Sequence, residues 1–129
     1  PANGSRTGFI GWKFTPTIKW SAVTDDSGVS YELQIASDEN FVTLVVPVVT
    51  GLTAVSYTLA SEQALLYGTY YWRVKAVDGA WNSSGWTTAY SFHSGLLPLW
   101  AFIAIVVLIA VLIGALVYVF AIKRRRYYD

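Results

Sequence analysis

Runs in which apolar and polar residues alternate with a period of two recur through the first ninety-five positions, and none follows Leu96. In PTIKWSAV, residues 16–23, Ile18 and Trp20 share one side and Lys19 takes the other. VSYELQIA, residues 29–36, sets Tyr31, Leu33 and Ile35 against Ser30, Glu32 and Gln34. VSYTLA, residues 55–60, pairs Tyr57 with Leu59. YYWRVKAV, residues 70–77, sets Tyr70, Trp72, Val74 and Ala76 against Tyr71, Arg73 and Lys75. TAYSFHS, residues 88–94, sets Tyr90 and Phe92 against Ser91 and His93. A period of two is that of a strand with one buried face. FVTLVVPVV is more mixed, and Pro47 suits an edge strand. Turn-rich stretches (TDDSG, SDEN, TGLT, YGT and DGAWNSSG) separate these runs. The pattern predicts an all-β, antiparallel β-sandwich over residues 1–94. Its expected core is Ile18, Trp20, Tyr31, Leu33, Ile35, Tyr57, Leu59, Tyr70, Trp72, Val74, Tyr90 and Phe92.

The last third follows another rule. Residues 96–122, LLPLWAFIAIVVLIAVLIGALVYVFAI, contain no charge. The 24 residues from Leu99 to Ile122 make a helix about 36 Å long, and a bilayer's hydrocarbon core is about 30 Å thick. A transmembrane α-helix is predicted over 99–122, after a juxtamembrane linker at 95–98. Trp100 and Tyr118 lie near its two ends, where amphipathic rings favour the interface. The tail, 123–129, opens with Lys123, Arg124, Arg125 and Arg126. Basic residues collect on the cytoplasmic side of spanning helices, so the tail is expected inside and residues 1–94 outside a plasma membrane. Ala110, Gly114 and Ala121 are candidate helix-packing positions, because small residues let backbones approach.

Charge refines this picture. Residues 1–95 carry five basic and seven acidic groups, a net −2, whereas residues 96–129 carry four basic and one acidic, a net +3. The positive charge is thus one topology anchor and not a nucleic-acid-binding face. The chain has no Cys and one His, His93. That excludes disulfides and thiolate metal sites and leaves little for histidine chemistry. TDDS and SDEN lack the ligand spacing of a calcium loop and read as solvated turns. No G-x-S-x-G, P-loop or H-E-x-x-H is present. Neither cofactor nor catalysis is expected within these residues.

The order PTIKW, YELQIASDENF, SYTL, GTYYWRVKAVDGAWNSSGW, YSF resembles a fibronectin type III domain of the kind found in bacterial and archaeal surface proteins. The likeness covers residues 1 to about 93. Trp20 corresponds to that family's strand B tryptophan. Tyr70, Trp72, Arg73, Val74 and Ala76 correspond to its strand F pattern, with Tyr70 as the corner tyrosine. The resemblance implies a seven-strand sandwich with an interaction or spacer role and no chemistry. PANG at the start resembles the segment after strand A begins, which implies a longer parent chain.

Some rings are left over by the alternation. Tyr71 shares the outer face with Arg73 and Lys75, and Trp81 and Trp86 flank NSSG. Trp86 is expected to lie over Arg73 or Lys75 as a cation–π contact. Trp12, Tyr71, Trp81 and Trp86 are alternatively an exposed patch that meets another protein or lipid headgroups. Asn82 begins an N-glycosylation sequon, with a plain turn asparagine as the alternative. The sequence therefore predicts a single-pass, non-catalytic adhesion, interaction or spacer module whose partners are membrane lipid and other proteins. The alternative is an accessory subunit of a larger membrane complex, capping its external face. A removable sorting signal fits the tripartite layout, but LLPLW lacks the Thr-Gly of the familiar cleavage motif.

Overall fold

The structure is a computed structural model, and it describes residues 2–8 and 13–126. It divides into two compact units, Pro1–Leu96 and Leu97–Asp129.

Among the described residues the first unit has seven strands: β1 (Ser5–Thr7), β2 (Thr17–Lys19), β3 (Val29–Ala36), β4 (Leu44–Leu52), β5 (Ser56–Thr58), β6 (Gly68–Asp78) and β7 (Tyr90–Ser94). One sheet has the order β1-β7-β6-β3-β4; the other is the pair β2-β5. All pairings are antiparallel except β1 with β7, which is parallel. A 3₁₀ turn, Ser61–Gln63, separates β5 from β6.

Register explains why alternation builds this core. Leu33 stands opposite Val74 and Ile35 opposite Trp72, so the inward residues of β3 and β6 meet directly. Across the next ladder Tyr70 faces Phe92 and Trp72 faces Tyr90. These two pairs stack with ring centroids 5.9 and 4.8 Å apart. Ile18 of β2 and Leu59, the residue after β5, enter the same core, so the two sheets form two layers over one apolar centre. The Tyr70 hydroxyl donates to the Leu66 carbonyl at 3.2 Å, which satisfies its one polar atom. Burial raises the pKa of that phenol despite the bond.

The expected core needs amendment at its margins. Trp20, Tyr57 and Tyr90 pack against it but stay partly exposed, while Val46, Leu65, Ala36 and Val77 are buried in addition. Val46 belongs to β4, where three register shifts against β3 hide the alternation. Leu65 is buried through an isolated bridge with Phe14. Pro47 lies in this edge strand, as its missing N–H requires.

The second unit is α1, Leu99–Arg126, 28 residues long. The Pro98 carbonyl accepts from Ala101 and Phe102, starting the helix where the proline ring is tolerated. The helix was expected to end at Ile122, but it continues through the basic cluster. Lys and Arg are good helix formers, and at a C-terminus they complement the helix dipole. Among the described residues it is the one helix that is long and apolar enough to cross a membrane.

Candidate interaction surfaces

The outer face of the five-stranded sheet carries a ladder of rings and charges. Register sets Glu32 opposite Lys75 and Gln34 opposite Arg73. Lys75 Nζ lies 2.8 Å from Glu32 Oε2, and Arg73 Nε donates to Gln34 Oε1 at 2.8 Å. The Thr87 N–H donates to the Val74 carbonyl, and Thr87 Oγ1 accepts from the Val74 N–H. That docking brings the neighbouring Trp86 over β6. The Trp86 ring centroid is 4.8 Å from the Arg73 guanidinium carbon and 5.0 Å from Lys75 Nζ. The guanidinium carbon also lies 4.1 Å from the Phe41 ring centroid. Phe41 was not singled out from sequence: it sits in the loop before β4 with φ at 57°, where no periodicity operates.

Trp86 is thus half-buried by local packing. A contact of this kind contributes about 0.5–1 kcal/mol at an exposed site. Trp86→Ala is expected to destabilise the domain by about that amount. A double-mutant cycle with Arg73→Ala by denaturant unfolding measures the coupling; additive losses would remove the ring–guanidinium contact from the account.

Trp81 behaves differently: it is 87% exposed. It has φ at 67°, a left-handed conformation that costs a non-glycine residue about 1–2 kcal/mol. The turn around it holds this geometry. Asp78 accepts from the N–H groups of Ala80 and Asn82 at 2.9 and 2.8 Å, and from Asn82 Nδ2 at 2.9 Å. The Trp81 N–H donates to the Asp78 carbonyl at 3.1 Å. Gly79 donates to Ser27 Oγ, and a Cβ at Gly79 would collide with the Ser27 carbonyl oxygen, so a side chain is excluded there. Trp81 therefore projects from a braced turn at the end of β6.

Asn82, the sequon residue, is exposed, but its amide is engaged with Asp78. Tyr71 is partly buried on the outer face, opposite Ala36 and Ser91. Trp12 lies outside the described residues. Ala110, Gly114 and Ala121 are exposed along α1, and space is open where a Gly114 Cβ would point. Lys123 to Arg126 form its last turn.

A groove of about 630 Å³ runs along the inner side of the domain, lined by Trp20, Tyr31, Trp72, Val74 and Tyr90 among others. The indole N–H groups of Trp20 and Trp72 are buried without an acceptor. His93 holds Thr69 Oγ1 at 3.0 Å through Nδ1 and meets the Tyr67 ring edge-on. It has no carboxylate partner among the described residues.

Loop carboxylates respond to acid in a defined direction. Asp78 has its pKa lowered chiefly by the Asn82 side-chain and backbone donors, and Asp38 by the Thr43 and Val42 N–H groups. Asp25 is lowered by the Ser27 hydroxyl and N–H. A depressed carboxyl steadies its loop above the ordinary value of 3.8 and loses that effect as pH falls through the lower folded value. The three carboxyl carbons are expected to titrate below 3.8 by NMR; midpoints at or above that ordinary value would contradict these bonds.

No protein-family model matches this chain, and no curated protein sequence matches it significantly.

Proposed function

We propose that this chain is a non-catalytic interaction or spacer module of fibronectin type III type, held outside the plasma membrane by α1 with its basic end in the cytoplasm. The observation that carries the reading is the short passage from domain to helix. Only Gly95 to Pro98 separate β7 from an uncharged helix that ends in four basic residues. Such a chain tethers a rigid two-layered domain close to a bilayer. The Tyr70 hydroxyl bond to a nearby carbonyl and the strand order β7-β6-β3-β4 support the family likeness. Trp81 is the contact residue this reading favours, because a braced turn keeps its ring in solvent.

The accessory-subunit reading draws on Ala110 and Gly114, four residues apart, with no side chain filling the space at Gly114. Extraction of the full chain from its native membrane in mild detergent separates the two. A surface module is recovered as a lone species that binds partners through its domain, and Trp81→Ala weakens that capture. A subunit co-purifies with other spanning proteins, and Gly114→Leu disrupts that assembly. Recovery from the aqueous fraction after alkaline carbonate washing would overturn both.

A further inference from the structure

The end of the β domain where the chain leaves for α1 is unusually apolar. β7 ends at Ser94 opposite Gly68, the first residue of β6. Leu66 and Tyr67, just before β6, therefore lie beside the exit at Gly95 and Leu96. A Cβ at Gly95 would stand 3.3 Å from the Tyr67 ring, which confirms that proximity. Leu66 is 59% exposed, Tyr67 41% and Leu96 39%. They are held in place: Leu65 is buried, the Leu66 carbonyl is fixed by the Tyr70 hydroxyl, and the Tyr67 ring packs on His93.

Charge is missing where these segments converge. Residues 63–72 contain no charged side chain, and residues 79–122 contain only His93 as a titratable base. The cations of this end are Arg6, opposite His93 in the β1–β7 ladder, and Lys13, one residue before the Phe14–Leu65 bridge. The acidic side chains are Glu62 in the 3₁₀ turn and, across the sheet, Asp38 and Glu39 in the loop before β4.

We propose that Leu66, Tyr67 and Leu96 form a collar that enters the headgroup–acyl boundary of the bilayer crossed by α1. The tether selects this occupant. The four residues Gly95 to Pro98 span at most about 14 Å, so the collar cannot leave the neighbourhood of the surface that α1 enters. An amphipathic tyrosine between two leucines is the chemistry that favours such an interface, and Arg6 and Lys13 suit lipid phosphate. The collar thereby fixes the tilt of the domain, which a four-residue linker alone would leave free. This inference rests on the membrane-spanning reading of α1.

The chain has no cysteine, so single labels are unambiguous. The full chain is reconstituted in phosphatidylcholine nanodiscs with a nitroxide on Leu66→Cys, Leu96→Cys, Trp81→Cys or Ile109→Cys. Collisions with oxygen, which concentrates in lipid, are compared with those of a water-soluble nickel complex. Labels at Leu66 and Leu96 are expected to show a severalfold higher oxygen-to-nickel ratio than the label at Trp81. Equal ratios at Leu66, Leu96 and Trp81, with Ile109 in lipid, overturn the collar and leave the spanning helix standing. An aqueous Ile109 overturns the spanning helix, and the collar with it.

Discussion

Truncating Phe92 to alanine is expected to cost the β domain about 3–5 kcal/mol, whereas truncating the larger Trp81 is expected to change its stability by less than about 0.5 kcal/mol. Phe92 is 1% exposed, stacks on Tyr70 and belongs to the cluster shared by both sheets. Its removal forfeits transfer energy and leaves a cavity that a closely packed interior fills only in part. A domain of this size has about 5–14 kcal/mol to lose, so Phe92→Ala consumes a large share of it. Trp81 is already in water, and alanine inherits the same left-handed backbone, so neither burial nor strain changes much. Trp81→Gly is expected to gain about 1 kcal/mol by relieving that strain. Denaturant unfolding in mild detergent, followed by tryptophan fluorescence, checks all three. Similar midpoints for Phe92→Ala and Trp81→Ala would show that the rings are not divided between core and surface as described.

That division also marks what the sequence discloses. Over 29–36 and 70–77 alternation names Tyr31, Leu33, Ile35, Tyr70, Trp72 and Val74 correctly, and it misses Ala36 and Val77 at the strand ends, where the period breaks. Over 44–52 the rule fails, because bulges change the number of residues per paired step and Val46 turns inward without a readable period. At Trp20, Tyr57 and Tyr90 the inward side was legible but the depth was not. Their exposure depends on how far the short β2-β5 sheet reaches across its neighbour, and that is a tertiary property. The candidate contacts divide the same way. The outward cations of β6 and the ring after NSSG are legible in sequence and pair Trp86 with Arg73, whereas Phe41 reaches the same guanidinium through a loop conformation. Trp81 is set apart by the Asp78 bonds and its positive φ, which no sequence pattern encodes.

One sequence feature has consequences that no packing argument modifies. Exchanging Lys123, Arg124, Arg125 and Arg126 for glutamine is expected to abolish the fixed orientation of the chain, under the proposed topology. The helix itself gives no preference: from Leu99 to Ile122 it carries no charge, so either direction satisfies its backbone and buries its side chains equally. Orientation then falls to the flanks, where basic residues within about 15–20 positions of the span decide. On the far side Lys75 and Arg73 are more than twenty residues away and folded into the ladder under Trp86, which leaves the cluster unopposed. A cysteine in place of exposed Ser84, probed on intact cells with a membrane-impermeant maleimide, reports the side on which the domain lies. The native cluster is expected to give near-complete labelling and the glutamine variant a mixture. A label count unchanged by the exchange would mean that the folded domain, and not the basic turn, sets the direction of insertion.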